Sequence, residues 1–208
     1  MKSLAFFSQK GGSGKTTIGV HIAAAACSAG EKVLLFDLDP QGSASAWSKV
    51  RKSAHPTVKK ATAGHHLSHL LDRAKAEAYS LVIFDTPPHT TAGVDIIARL
   101  ADFLVIPCRP SVLDLVAIAS TVNIARASGK PAAFVLNSCN PRVAETGQSR
   151  KALERHSYPT APVEIGSRQA YSRALTSGST VIEFEPRGKA AQEISELWRW
   201  IKAQMEKE

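Results

Sequence analysis

Residues 8–17 read SQKGGSGKTT and join the short apolar run SLAFFS at 3–8 to a helix-length segment that ends at Gly30. A common phosphate-binding loop has the form G-x-x-x-x-G-K-[ST]. Here Gln9 stands at the first glycine position, and a second lysine, Lys10, lies five residues before Lys15. An apolar strand, a glycine loop and a helix in this order predict a phosphate site.

The glycines of this loop allow positive φ angles and bring backbone N–H groups close to phosphate oxygens. The start of the following helix adds the positive end of its dipole. We expect Lys15 to reach the β and γ phosphates and the Thr16 hydroxyl to bind Mg²⁺. The residues of the loop predicted to contact a nucleotide are Gly11, Gly12, Ser13, Gly14, Lys15, Thr16 and Thr17.

Short apolar runs alternate with helix-length segments along the chain, which predicts an α/β fold with a mostly parallel, twisted sheet flanked by helices on both faces. Residues 1–208 are expected to form a single domain. The stretch 42–71 is the least regular part of the first half. The predicted strands lie at 3–8, 32–39, 79–85, 102–108 and 132–137, with a weaker one at 161–165, and the predicted helices at 16–30, 66–78, 113–128 and 189–206.

Three aspartates end predicted strands, where ligands bind in parallel α/β sheets. Asp37 and Asp39 close the run in LLFDLDPQGS, and Asp85 follows four apolar residues in LVIFDTPP. Asp85 has the form of a Walker B aspartate, which holds the metal directly or through water. A carboxylate at a strand end also caps helices, and for Asp37 that alternative stays open.

The composition limits the classes of partner. With 208 residues, 44% of them apolar, and a formal net charge of +8, the chain can bury a core and attract polyanions. Nucleic acid is the leading candidate and an anionic membrane the next, while simple solubility is the alternative. Cys27, Cys108 and Cys139 form no disulfide or zinc pattern. We find no signal peptide or membrane span and expect a cytoplasmic protein.

Four motifs in the same order resemble the deviant Walker ATPases of the ParA/MinD group. They are KGGSGKTT at 10–17, DLDPQGS at 37–43, FDTPP at 84–88 and VIPCRPSVLDL at 105–115. The later segment 168–194 is similar to the C-terminal region of the ParA branch, which partitions plasmids and chromosomes. The resemblance implies a P-loop NTPase fold, ATP and Mg²⁺ as cofactors, and ATP hydrolysis.

The same resemblance implies roles for individual residues. Lys10 matches the signature lysine, which reaches across an ATP-sandwich homodimer to the phosphates of the other subunit. Lys10, Lys15 and Asp39 would act in hydrolysis, Asp39 by orienting the attacking water. Asp37 and Asp85 would organise Mg²⁺ together with Thr16. Asn137 matches a residue that contacts adenine, although asparagine also ends strands for reasons of turn geometry.

The implied function is segregation of plasmid or chromosome DNA by a dimer that binds non-specific DNA in the nucleoid and is stimulated by a ParB-like centromere-binding adaptor. Only eight residues precede Gln9, so we do not expect an N-terminal helix-turn-helix region or sequence-specific self-repression. Stretch 42–71 has five basic and no acidic residues. The resemblance favours a second set as DNA contacts: Arg142, Arg150, Lys151, Arg155, Arg168, Arg173, Arg187 and Lys189.

A stripe of apolar residues near the C-terminus raises an alternative function. The stripe has helical spacing, and MinD relatives hold the membrane through an amphipathic C-terminal helix. Membrane helices of that kind are rich in Lys and Arg, whereas acids nearly balance bases here, so we expect the helix to pack on the sheet. Iron–sulfur carriers of the group need cysteine spacings that this chain lacks. The stripe consists of Ile194, Leu197, Trp198, Ile201 and Met205.

Overall fold

The computed structural model describes residues 1–88, 93–140 and 143–207. The described residues form a seven-stranded sheet in the order β3-β2-β4-β1-β5-β6-β7, in which every neighbouring pair is parallel. The strands are β1 Lys2–Phe6, β2 Val33–Asp37, β3 Thr57–Lys60, β4 Leu81–Asp85, β5 Phe103–Cys108, β6 Ala132–Cys139 and β7 Ile165–Gly166. The predicted fold class is confirmed.

Helices connect the strands and cover both faces of this sheet. In chain order they are α1 Lys15–Ser28, α2 Ser43–Val50, α3 Leu67–Ala76, α4 Val94–Leu100, α5 Val112–Ser128, α6 Glu145–Leu153, α7 Gln169–Thr176, α8 Val181–Phe184 and α9 Lys189–Glu206. A parallel pair of strands needs such a crossover, because its chain must return to the same end of the sheet.

Alternate residues of the central strand point into two separate layers of core. In β1, Leu4 and Phe6 pack on the side of α1 and α9, whereas Ala5 and the next residue after the strand, Phe7, pack on the side of α4 and α5. This alternation follows from the two-residue period of a strand. Because both faces are buried, the strands read as continuous apolar runs.

The stretch 42–71 is more regular than its sequence indicates. It contains α2 and the edge strand β3, whose residues Thr57 and Val58 are half-buried and whose Lys59 and Lys60 are exposed. An edge strand with two lysines has no continuous apolar run, so the apolar pattern could not find it. The weak strand expected at 161–165 is displaced to Ile165–Gly166, and Thr160 makes an isolated bridge to Phe134.

The register of the central strands brings the predicted site together. Asp85 at the end of β4 is level with Phe6 of β1 on one side and with Asp37 of β2 on the other. The chain leaves β1 and enters α1 through the glycine loop at this same edge. The carboxyl ends of three adjacent strands therefore converge beside the loop.

Candidate nucleotide-binding site

The loop between β1 and α1 has the backbone that its glycines predict. Gly12 and Gly14 have φ angles of 71° and 104°, in the left-handed region. Gly14 is the residue that caps the start of α1, and its carbonyl accepts a 2.8 Å hydrogen bond from the Ile18 N–H group. The first N–H groups of an α-helix have no acceptor within the helix, and here they follow the loop directly, which is the arrangement that binds phosphate.

Asn137, near the end of β6, supports the loop from the side. Its Nδ2 donates a 2.8 Å hydrogen bond to the Ser13 carbonyl, and its amide is buried against Gly14. A Cβ on Gly14 would lie 2.1 Å from that Nδ2, so any larger residue there would force the Asn137 amide to move. The described contacts give Asn137 a role in holding the loop, and its contact with adenine stays a prediction.

Lys15 is buried, although it carries an ammonium group. Its Nζ donates a 3.2 Å hydrogen bond to the backbone carbonyl of Lys10. Burial lowers the pKa of Lys15, and the charges of Asp85 and Asp39 oppose that shift. A buried ammonium with one neutral acceptor retains donors for an anion.

Asp85 is fully buried at the end of β4. Within the described residues neither carboxylate oxygen has a hydrogen-bond partner of good geometry, although the nearby Thr16 hydroxyl favours the ionised form. Burial raises the pKa of Asp85 to about 7, and the charge of Asp37 acts in the same direction. A buried carboxylate without donors fits a hard cation such as Mg²⁺.

The other two aspartates already accept backbone hydrogen bonds. Asp37 Oδ2 accepts from the Ser45 N–H group over 2.8 Å, in the first turn of α2, and Oδ1 accepts from Asp39 N–H over 3.3 Å. Asp39 Oδ1 accepts from Gln41 N–H over 2.9 Å. The capping alternative therefore describes the contacts of Asp37 in this structure. Its role at the metal stays a prediction.

No group of three or more His, Cys, Asp or Glu side chains in the described ranges is arranged as a metal site. This finding is compatible with Mg²⁺ beside a phosphate, because Mg²⁺ keeps several waters and takes one or two protein carboxylates together with substrate oxygens. The residues that fit this pattern are Asp85 and Thr16, which lie at the same end of the sheet.

A pocket of about 460 Å³ opens over the loop. Among the described residues, those predicted to bind nucleotide or to act in hydrolysis that line it are Gly11, Gly12, Gly14, Lys15, Thr16, Thr17, Asp39 and Asn137. The Lys10 side chain is half-buried, does not line this pocket and makes no hydrogen bond or ion pair with the described part of the chain. Lys10 therefore contributes its carbonyl to its own site.

Several residues of the pocket wall were not identified in the sequence. They include Pro88, Arg109, Gly166, Tyr171 and Leu175. Arg109 follows β5 directly and could have been found, because it ends a strand at the same edge as the three aspartates. Tyr171 and Leu175 belong to α7, and only the folded chain brings this distant helix to the loop.

The basic residues predicted to bind DNA fall into two groups. Arg150 pairs with Glu164, and Arg168, on the pocket wall, pairs with Glu193. Lys151, Arg155, Arg173, Arg187 and Lys189 are exposed, and Arg142 lies outside the described residues. In the stretch 42–71, Arg51 pairs with Glu183 and Lys59 with Glu77, which removes part of that excess charge.

The C-terminal stripe is the buried face of α9. All five residues pack into the core layer that contains α1, as expected. This face is therefore not available to a membrane in the folded protein. In the part of the chain that the structure describes, no helix combines the length and the apolarity that crossing a bilayer requires.

A parallel α/β sheet with a glycine loop, a buried lysine and a buried aspartate at one edge defines a P-loop nucleotide-binding protein. A family model described as the CobQ/CobB/MinD/ParA nucleotide binding domain matches residues 4–181. The chain belongs to this family and is a ParA/MinD-type ATPase.

Two curated relatives match nearly the whole chain. "Maintenance of carboxysome distribution protein A" of Gloeobacter kilaueensis is 33% identical over 208 residues, covering 99% of this chain and 94% of the relative. The protein of the same name from Halothiobacillus neapolitanus is 31% identical, and 94% of each chain is covered. The septum site-determining protein MinD of Pyrococcus horikoshii, solved with Mg-ADP, has a TM-score of 0.78 at 16% identity, covering 96% of this chain and 95% of that one. That likeness shows the fold.

Proposed function

We propose that this protein is a Mg²⁺-dependent ATPase that positions a large cargo on DNA. ATP binding forms a sandwich homodimer, the dimer binds non-specific DNA, and hydrolysis stimulated by an adaptor on the cargo releases it. One observation carries the proposal: the buried ammonium of Lys15 and the buried carboxylate of Asp85, which has no hydrogen-bond partner of good geometry in the described part of the chain, converge on one phosphate loop.

Different residues of the site would bind the phosphates, the metal and the attacking water. The loop N–H groups and Lys15 hold the phosphates, and Thr16 and Asp85 would hold Mg²⁺. Asp37 would help to organise Mg²⁺ and the water molecules bound to it. Bound Mg²⁺ would neutralise charge on the transferred phosphoryl group. Asp39 lines the pocket, where its carboxylate can orient the attacking water.

The placement of Lys10 supports a dimer. Its ammonium has no partner within the described residues and does not line its own pocket, whereas its backbone carbonyl does contact Lys15. A facing subunit would supply the anion that this side chain lacks. Lys10 would then stabilise charge that develops on the partner's phosphate during hydrolysis.

Exposed cations supply the proposed DNA surface. Lys151, Arg155, Arg173, Arg187 and Lys189 form this set, because they are exposed and make no ion pair within the described ranges. Phosphate contacts of this kind carry no sequence information, and their strength falls steeply with salt. The predicted location is the cytoplasm, with the ATP-bound dimer on the nucleoid.

The relatives support a protein assembly as cargo. Two proteins whose names refer to carboxysome distribution match nearly the whole chain. We therefore propose that the adaptor sits on a protein assembly. Segregation of a plasmid or chromosome through a ParB-like adaptor is the second candidate, favoured by the similarity of residues 168–194 to the ParA branch. Deleting the gene and scoring both plasmid retention and the spacing of large assemblies separates the two.

Binding of the protein to DNA and to liposomes tests the proposed ATP-dependent association with DNA. Purified protein is measured with ATP, ADP and no nucleotide across a range of salt. We expect DNA retention only with ATP, and loss of retention as salt rises. Retention on anionic liposomes instead would support a membrane-bound positioning ATPase and overturn the proposal.

Matched variants locate the DNA surface. The double variant Arg173→Ala/Lys189→Ala should weaken DNA retention in the presence of ATP and reduce its dependence on salt. Arg73→Ala/Lys75→Ala is the control, because it also removes two exposed positive charges but from α3, which packs on the opposite face of the sheet. Equal effects of the two changes would contradict the proposed surface.

A further inference from the structure

Arg109 is a cation of the pocket wall. It follows the end of β5, at the edge of the sheet where the phosphate loop lies, and its side chain is exposed toward the pocket. The structure shows no carboxylate within ion-pair distance of its guanidinium in residues 1–88, 93–140 and 143–207. The cation therefore faces a pocket for an anion without an acidic partner.

The guanidinium lies against the phosphate loop itself. A Cβ built on Gly12 would be 3.4 Å from Arg109 Nη2 and 3.8 Å from Cζ. The planar group thus occupies the space that this glycine leaves open. Because the N–H groups of such a loop contact phosphate oxygens, a guanidinium beside Gly12 is within hydrogen-bonding reach of the same oxygens.

The surrounding backbone holds Arg109 in place. Its carbonyl accepts a 2.8 Å hydrogen bond from Ser111 N–H, and Pro110 between them has a fixed φ angle. Ser111 caps the start of α5 by accepting from Asp114 N–H. Further along α5, the buried Thr121 accepts a 3.1 Å hydrogen bond from Gln9 N–H, which ties this helix to the phosphate loop.

Among the described residues, the other cations that line the pocket are Lys15 and Arg168. Lys15 donates one hydrogen bond to the Lys10 carbonyl and keeps donors for phosphate, whereas Arg168 is neutralised by Glu193. We infer that Arg109 binds the phosphate groups of the nucleotide held by its own subunit, through a forked contact that adds to Lys15. This inference rests on the proposed nucleotide-binding function.

Binding of Mg-ADP and of inorganic pyrophosphate tests the inference, measured by titration calorimetry on protein that light scattering shows to be monomeric. Arg109→Ala should bind both ligands about tenfold or more weakly, because it loses a charge-assisted contact. Arg109→Lys should lose less affinity for both ligands, since lysine keeps the positive charge but not the two parallel N–H donors of the guanidinium. Arg126→Ala, at the other end of α5, removes the same charge from an exposed site and should leave both affinities unchanged.

Each contrary result has a distinct meaning. Unchanged affinities of Arg109→Ala overturn the inference, provided that the wild-type protein binds Mg-ADP. If Arg109→Ala loses affinity for Mg-ADP but not for pyrophosphate, Arg109 contacts the nucleoside, and the inference is also overturned. A loss seen only with a non-hydrolysable ATP analogue in the dimer assigns the contact to the partner subunit's nucleotide and overturns the contact within one subunit. If the wild type binds neither ligand, the proposed function itself fails.

Discussion

The ammonium of Lys15 donates a hydrogen bond to the backbone carbonyl of Lys10 over 3.2 Å. The two lysines of the loop therefore do different things inside one subunit. Lys15 points into the pocket, whereas Lys10 gives the pocket a carbonyl and keeps its ammonium outside it. Replacing the Lys10 side chain leaves that carbonyl in place.

Variants of the two lysines should therefore affect nucleotide binding and dimerisation differently. We expect Lys10→Ala to retain affinity for ATP within about threefold, within the usual range for a surface change, but to lose ATP-dependent dimerisation or turnover. Lys15→Ala should lose nucleotide affinity by about tenfold or more, because it removes a charged contact to phosphate. Calorimetry and light scattering measure the two properties. Normal dimerisation and hydrolysis by Lys10→Ala would show that the proposed role is wrong.

Gly14 and Gly30 provide a matched pair for the steric requirement of the loop. Both have positive φ, 104° and 93°, so alanine at either position costs about 1–2 kcal/mol of backbone strain. Only at Gly14 does the new Cβ meet an atom, Asn137 Nδ2 at 2.1 Å, whereas nothing lies within 4 Å at Gly30. Gly14→Ala should therefore lower the free energy of unfolding in urea by more than Gly30→Ala does.

The companion variant identifies the cause. Adding Asn137→Ala to Gly14→Ala removes the colliding amide and should return part of the lost stability, although the φ strain and the lost Ser13 hydrogen bond remain. Equal free energies of unfolding for the two single variants would mean that Asn137 moves aside at no cost.

His21 should make stability depend on pH. It is fully buried in α1, its Nδ1–H donates to the Thr17 carbonyl over 2.7 Å, and its ring lies edge-on to Tyr171. Burial lowers its pKa to about 4 from 6.5. Between these values the unfolded chain binds a proton at this site that the folded protein does not, so the contribution of His21 to stability should fall as pH decreases from about 6.5 to 4. The raised pKa of Asp85 acts in the opposite direction over the same range, so the contribution of His21 is measured as a difference between variants.

A change to asparagine tests this contribution, because its amide can replace the Nδ1–H donor and does not titrate. As the pH is lowered through this range, the wild type should lose unfolding free energy relative to His21→Asn, because only the wild type carries the buried imidazole. His65→Asn, at an exposed site, should leave the wild-type slope unchanged. Identical slopes for wild type and His21→Asn would contradict the buried, neutral state of the ring.

The last helix should matter for stability and not for membranes. Leu197 is fully buried in the core layer of α1 and α9, so Leu197→Ala should cost about 2–5 kcal/mol in unfolding free energy. Glu196→Ala, on the exposed side of α9, should change it by less than about 0.5 kcal/mol. A Leu197→Ala protein of wild-type stability would show that this stripe is not part of the core.

Much of the nucleotide site could be predicted because its signals are local. A glycine loop between a strand and a helix can be identified from a few consecutive residues. The same holds for a carboxylate that follows four apolar residues. The edge strand β3 could not be predicted in the same way, because its two half-buried residues are followed by two exposed lysines and form no continuous apolar run. Helix α7 lies far from the loop in the chain, so no local pattern could show that it forms the pocket wall.

The sequence by itself determined the parallel α/β class, the phosphate loop and the aspartates at the strand ends, because these depend on the period and order of neighbouring residues. Only the tertiary structure decided which polar groups meet across the chain. Asn137 is hydrogen-bonded to Ser13, and Arg109 lies beside Gly12. Arg168 is paired with Glu193. Asp85 has no hydrogen-bond partner of good geometry within the described residues. Each of these depends on contacts between residues distant in the chain, which strand register and helix packing create.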